Sequence, residues 1–272
     1  MRFVKQRKVK VGSILVSVFL TVTTIRVATA ANSIMFADDF EGCNYAKYQD
    51  IASNKIDLTV AHSGKCSSKI GGAGVTFGKL LAPLSSSSSD VWLTAQVYFP
   101  KEFSLPGGGE GFHIFRLLDR PYTAGLMQLD FVVPYGGATI QLYHGPGDTG
   151  GDEAAKNTNF NPAADGRRGR WQCWEIHTRL NTPGQSDGLL EFYADGVLVD
   201  SVSGKFRGNS TNPYTYVDVQ SNIGSTRPEL WPTQNWWYVD DVAVSTGRVG
   251  CAPNVTDKTP PNPPGGLRIN VQ

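Results

Sequence analysis

Between Ala31 and Cys251 no stretch holds a helical period for a dozen residues. Short β-rich runs alternate instead with Gly, Pro, Asn and Ser breaks. A run that alternates in polarity buries one side only, so it needs neighbours on its edges and a second apolar layer over that side. The candidate strands are Ile34–Phe40, Ile56–His62, Ser67–Ile70, Trp92–Phe99, Phe112–Leu118, Leu126–Val133, Thr139–His144, Trp171–Leu180, Leu189–Ala194, Val197–Ser203, Tyr214–Val219 and Trp236–Ser245. Many are rich in β-branched and aromatic residues. Pro106-Gly107-Gly108-Gly109 and Pro134-Tyr135-Gly136-Gly137 supply turn chemistry. Asp195-Gly196 between two such runs signals a two-residue hairpin. Strands at this spacing over residues 31–251 predict one antiparallel two-sheet β-sandwich, not two domains.

Two stretches depart from the pattern. Ser85–Ser89 is a polar run, expected as a surface connection. His144 to Arg170 is rich in Gly, Asn and Asp and has no hydrophobic period, and long loops of that kind carry function or mobility. Residues 252–272 read as a tail: Thr259-Pro-Pro-Asn-Pro-Pro-Gly-Gly is a stiff linker, and Leu267-Arg-Ile-Asn-Val has the pattern of an opening strand.

The first thirty residues read as an address. Arg2, Lys5, Arg7, Lys8 and Lys10 precede an apolar stretch from Val11 to Ile25, and Ala28-Thr29-Ala30 supplies small residues. This predicts a secretory signal, residues 1–30, cleaved near Ala30–Ala31. The stretch is shorter than the roughly 20 residues a membrane span needs, and Ser13, Ser17 and three Thr interrupt it. The expected location is therefore secreted, either extracellular or periplasmic, with no membrane association after cleavage. Overall the chain carries 25 Lys+Arg against 24 Asp+Glu, but the leader holds six of the cations and no acid. The remainder has 19 against 24, a charge of −5. That sign disfavours nucleic acid and anionic membrane as partners, and a monomer is expected.

Export puts Cys43, Cys66, Cys173 and Cys251 in an oxidising compartment. They show no CxxC spacing, and His62, His113, His144 and His177 are scattered, which argues against zinc. Of three pairings, Cys43–Cys66 and Cys173–Cys251 are favoured, with free buried thiols as the competing reading. The sequons Asn209-Ser-Thr and Asn254-Val-Thr matter only in a source that glycosylates.

Polar residues at every second position of neighbouring strands would line one groove. Gln128 and Asp130 share one side of their strand, and Gln141 and Tyr143 share one side of the next. The short Pro-Tyr-Gly-Gly turn between these strands points both polar sides the same way. From Phe112–Leu118 either His113 or Arg116 joins them, because alternation puts the two on opposite sides. Glu175, His177 and Arg179 share a side of a later strand, whose relation to the groove the sequence leaves open. Amide, carboxylate, phenol and imidazole together suit a polysaccharide, whose hydroxyls and carboxylates need directional donors and acceptors. A solvated outer face is the competing reading.

Several segments together resemble the concanavalin A-like jelly-roll family, in its secreted polysaccharide-lyase branch of alginate and glucuronan lyases. Phe36-Ala-Asp-Asp-Phe-Glu and His62-Ser-Gly-Lys are similar to the opening strands of many secreted carbohydrate-active jelly rolls. Val97-Tyr-Phe-Pro-Lys-Glu-Phe, then a Gly-rich turn and Phe112-His-Ile-Phe-Arg-Leu, is similar to the lyases' "YFP..F…GGK" region. Gly169-Arg-Trp-Gln-Cys-Trp-Glu, Arg179-Leu-Asn-Thr-Pro-Gly-Gln-Ser-Asp-Gly and Ala194-Asp-Gly resemble their "G.W…E…LNTPG..DG…W.DG" stretch. Trp237-Tyr-Val-Asp-Asp-Val-Ala-Val-Ser-Thr resembles the closing strand. The likeness runs over most of residues 34–251 and marks the fold more specifically than the chemistry.

The resemblance implies a site. In the family the lysine of "GGK", with Ser/Arg and paired Tyr on the next two strands, is implicated in β-elimination. Carried over by position, His113 stands at the lysine, Gln128 and Asp130 at Ser and Arg, and Gln141 and Tyr143 at the two Tyr. Four of the five change chemical type, and Asp130 in place of a cation argues against simple alginate-type lysis. What remains is His113 as base, Tyr143 as acid, and Gln128 or Arg116 stabilising the developing charge. Asp130, Gln141, Glu175 and His177, with Arg116, are then the expected substrate contacts. The E-x-D-x-x-E pair of the fold's glycosidases is absent, so paired acids would require Asp130 and Glu175 to meet across strands. No cofactor is required. Asp39, Asp240 and Asp241 converge if first and last strands pair, and oxygen-rich clusters suit a structural calcium; exposed strand-end acids are the plainer reading. The expectation is a secreted carbohydrate-active protein that acts on a polysaccharide, with uronate polymers in view, by lyase-type β-elimination in a concave groove. A non-catalytic carbohydrate-binding module and a structural surface or matrix domain are the alternatives.

Overall fold

A computed structural model describes residues 32–72, 78–104, 110–121, 127–133, 138–145, 154–220 and 235–250. The expected signal, the Pro-rich tail and Cys251 lie outside the described residues. The described residues hold no helix, and so none long and apolar enough to cross a membrane. They form fifteen strands: β1 (Ile34–Asp38), β2 (Asp50–Ala52), β3 (Lys55–Asp57), β4 (Ser67–Gly71), β5 (Lys79–Ser88), β6 (Asp90–Tyr98), β7 (Glu110–Leu118), β8 (Met127–Val133), β9 (Thr139–His144), β10 (Ala154–Asn157), β11 (Trp171–Arg179), β12 (Gly188–Ala194), β13 (Val197–Gly204), β14 (Tyr214–Val219) and β15 (Trp236–Ser245).

Every ladder is antiparallel. One sheet runs β13-β12-β11-β6-β15-β4-β3, with β1 also on β15; the other runs β10-β9-β8-β7-β14-β5-β2. Together they make the expected all-β jelly-roll sandwich. Alternation sets the layers, as β12 shows: Leu190 and Phe192 are fully buried while Leu189, Glu191 and Tyr193 are only partly covered. The core lies between Val91, Leu93, Ala95, Val97, Trp174, Ile176, Trp237 and Val239 of the first sheet and Phe112, Phe115, Leu117, Ile140, Leu142, Val217 and Val219 of the second. Trp237 meets Phe112 across the layers at 5.3 Å between centroids. Asp195 and Gly196 both have positive φ (52° and 80°), so the two-residue turn takes the primed form the Asp-Gly pair favours. Gly71 is required by space: a Cβ there would lie 1.9 Å from the Asn235 carbonyl oxygen, at φ 131°.

Three strands were not expected. Ser85–Ser88 are the end of β5 rather than a surface connection, paired to β14 through Tyr214↔Ser88. Serine is indifferent to alternation, and Ser85–Ser87 fall in the irregular register between Pro83 and Ser88. β10 lies within the 144–170 stretch, on the edge beside β9. β2 adds the opposite edge through Ile51↔Leu80. Cys43 and Cys66 form the expected disulfide with Cα atoms 5.6 Å apart, and Cys173 is disulfide-bonded as well.

Candidate functional site

The residues expected on β7, β8 and β9 fall on neighbouring strands of the seven-stranded sheet. On β7, Phe112, Ile114, Phe115 and Leu117 all point into the core, which strict alternation forbids. The register explains it: His113 pairs with Asp130 and Phe115 with Leu129, so Ile114 is the extra residue of a β-bulge. The bulge resets the parity, and both His113 and Arg116 come to the outer face. The choice between them that alternation posed is therefore resolved in favour of both.

Two cross-strand rows follow from the pairing. One runs Asp218–Arg116–Gln128–Tyr143 over β14, β7, β8 and β9; the other runs His113–Asp130–Gln141–Asn157 over β7, β8, β9 and β10. Register alone places Gln128 and Asp130. With strands about 4.8 Å apart, Arg116 and Tyr143 stand roughly 10 Å from each other. The Gln141 Nε2–H donates to Asn157 Oδ1 at 2.7 Å. The Tyr143 ring lies over Gly145, where an added Cβ would sit 2.8 Å from Cε1 and 3.1 Å from the hydroxyl. Arg116 Nη1 is 3.7 Å from Asp218 Oδ2, and Asp218 Oδ1 accepts the Leu80 N–H at 3.2 Å. Toward the other edge, Lys79 Nζ donates to Asp50 Oδ2 at 2.9 Å. Asp218 and Asn157 were missed from sequence. For Asp218 the signal was present, an acid among Tyr214, Val217 and Val219 where the strand needs none.

Glu175 and His177 do not join this face. They stand on β11, on the outer side of the other sheet, opposite Thr94 and Trp92 of β6. Glu175, 1% exposed, receives a two-pronged hydrogen bond from Arg248 at 2.9 and 2.8 Å. The His177 ring is held between Asp90 (2.9 Å) and Glu191 (2.8 Å) and stacks on Trp92 at 4.3 Å between centroids. Burial pulls the His177 pKa down, but the two carboxylates outweigh it and the net direction is up. These groups bind one another across three strands rather than a ligand in the row site. Asp130 and Glu175 are on different sheets, so they cannot supply a pair of acids for hydrolysis.

The three aspartates proposed for calcium are engaged in hydrogen bonds within the protein. Asp39 Oδ1 accepts the Glu41 N–H. Asp240 accepts three backbone N–H groups, from His62 (2.8 Å), Ser63 (3.2 Å) and Asp241 (2.9 Å). Asp241 takes the His62 ring at 2.6 Å and the Ser63 hydroxyl at 2.8 Å. Burial first, then the Asp241 charge, pushes the Asp240 carboxyl up to about 8 against those N–H groups. Their oxygens clasp the loop at His62–Ser63, and among the described residues no group of three or more His, Cys, Asp or Glu is placed to hold a metal.

No protein-family model matches the sequence. No curated protein matches it either. Solved structures do match. An endo-β-1,4-glucuronan lyase from the fungus Trichoderma reesei superposes with a TM-score of 0.55 at 11% identity, covering 79% of this chain and 96% of that one. An alginate lyase from Chlorella virus gives 0.54 at 14% identity, over 78% and 99%. The cellulose-induced protein Cip1 gives 0.53 at 20% identity, over 79% and 99%. The chain shares their fold. At these identities the likeness speaks to the backbone, and the outer-face residues must argue the chemistry themselves.

Proposed function

We propose that this protein is an exported, carbohydrate-active protein that binds a uronate-containing polysaccharide across the outer face of its seven-stranded sheet and cleaves it by β-elimination. The observation that carries the reading is the pair of cross-strand rows, which gather His113, Arg116, Gln141 and Tyr143 on one face. The Cys43–Cys66 disulfide supports an oxidising compartment, and the shared fold of the glucuronan and alginate lyases supports the substrate class.

In this reading His113 removes the proton beside the uronate carboxylate, an imidazole being basic near neutrality. Arg116 and the Gln128 position face the charge that builds on the carboxylate. Tyr143 gives its proton to the departing glycosidic oxygen as that carbon–oxygen bond breaks. The electron pair left by the first proton becomes the new double bond, and no water is consumed. Two strands and two residues separate His113 from Tyr143, roughly 12 Å between Cα atoms, a span that one sugar ring and two long side chains fill.

Asp130 favours a second reading. It pairs directly with His113, where an acid repels uronate, and a binding module without catalysis tolerates that better than a lyase does. Incubation with polyglucuronate, polyguluronate and polymannuronate separates the readings. Unsaturated-product ultraviolet absorbance that disappears in His113→Ala and Tyr143→Phe supports the lyase. Retardation in a polyuronate gel without product supports the module. Neither response with any polymer rejects both.

A further inference from the structure

We propose that Asp218 is the positioning residue of Arg116, an inference that rests on the outer face being the polyuronate site. Asp218 lies in the middle of β14, on the same face as the row residues, because Val217 and Val219 on either side of it point into the core. Yet it is 1% exposed. A carboxylate buried on a polar face must be compensated, and nothing in strand packing calls for one here. Its two oxygens have different tasks. Oδ1 is fixed by the Leu80 N–H, and Oδ2 faces the Arg116 guanidinium at 3.7 Å. That separation is too long for a direct hydrogen bond, so what Oδ2 supplies is charge and direction.

An arginine fork recognises a carboxylate well only when its plane is held, because the stem is long and rotamer-rich. Asp218 pairs with Arg116 on the strand next to β7, on the side away from Gln128 and Tyr143. A buried anion on that side draws the guanidinium toward β14 and fixes the direction from which it meets the row. The register makes the arrangement specific: moving Asp218 by one residue would turn it into the core.

The test is a double-mutant cycle on Asp218→Asn and Arg116→Gln. Asn keeps the shape and an acceptor for the Leu80 N–H, and thermal unfolding of each variant shows that the fold persists. The readout is kcat/KM on the preferred polyuronate, or Kd where no product forms. Asp218→Asn is expected to weaken it about tenfold when Arg116 is intact and less than twofold in the Arg116→Gln background. The same loss in both backgrounds, or no loss in either, overturns the positioning role while leaving the face intact. Wild-type protein that neither cleaves nor retains any polyuronate overturns the reading of the face, and with it this role.

Discussion

Tyr143 owes its place to Gly145 two residues on. A methyl at 145 would fall inside contact distance of the ring, so the ring must swing away while the backbone stays where it is. With Tyr143 as the proposed acid of a lyase, Gly145→Ala is therefore expected to lower kcat by about 10- to 100-fold with cooperative unfolding retained, since a shift of order 1 Å at a reacting group costs that much. Steady-state kinetics beside Tyr143→Phe check it; a normal kcat in Gly145→Ala removes Tyr143 from the chemistry. Across the sandwich the residue-scale question is stability. Glu175 is buried and Arg248 caps it while lying 4.5 Å from the Tyr193 ring centroid. Arg248→Ala leaves that carboxylate without its guanidinium, at a cost of roughly 2–3 kcal/mol, less than a fully enclosed pair because Arg248 also meets water. Urea unfolding should show most of the loss restored in the Arg248→Ala/Glu175→Gln double variant.

The elements show what alternation can and cannot convey. Thr139–His144, Tyr214–Val219 and Trp236–Ser245 have the bounds read from sequence, and in the first of them Ile140 and Leu142 are buried while Gln141 and Tyr143 are partly exposed, a period of two. The polar side of β9 was legible for the same reason. His113 and Arg116 were not, because a bulge inserts one residue and inverts parity; the adjacent Ile114-Phe115 pair, both buried, was its trace. A second bulge in β15 follows the same logic at Asp241, with φ at 48° and the register shifting between Asp240 and Ala243. The side taken by β11 was beyond reach, since the sheet a strand joins is a non-local choice. The Cys43–Cys66 link was within reach, and it ties the loop after β1 to the edge of β4 with a separation of 23 residues. Loop closure of that length implies about 3 kcal/mol. Replacing both cysteines with alanine should lower the denaturant-extrapolated stability by that amount. A loss below about 1 kcal/mol would mean that Glu41, which accepts the Lys65 and Cys66 N–H groups, already orders the loop in the unfolded ensemble.

At the scale of the molecule the two sheets are joined by a polar thread through the core, and that thread titrates. His144 of β9 contacts the Tyr214 hydroxyl at 3.3 Å, and Tyr214 of β14 reaches Thr178 of β11 at 2.8 Å. The His144 ring stacks on Phe206 at 3.8 Å between centroids, and burial drives its pKa down to about 3. The folded state therefore keeps His144 neutral while the unfolded chain takes up a proton near 6.5, so stability falls as pH drops from about 6.5 toward 3. His177 has the opposite sign. Its raised pKa makes its contribution complete below 6.5 and lost as pH climbs through the folded value. Asp240, at about 8, likewise withdraws its contribution as pH rises from the ordinary carboxylate range to 8. The acid limb thus separates His144 from His177, while Asp240 titrates across the same range with the opposite sign and is common to the wild type and both variants. His144→Gln, which retains a partner for Tyr214, is expected to reduce the difference in unfolding free energy between pH 7 and pH 4 by on the order of 2–3 kcal/mol. His177→Gln should leave that difference in place or enlarge it, and flatten the decline just above neutrality. Urea titrations at matched ionic strength read both limbs. An unchanged acid limb in His144→Gln would assign acid lability to the surface carboxylates, and the thread between the sheets would then be held by hydrogen bonding alone.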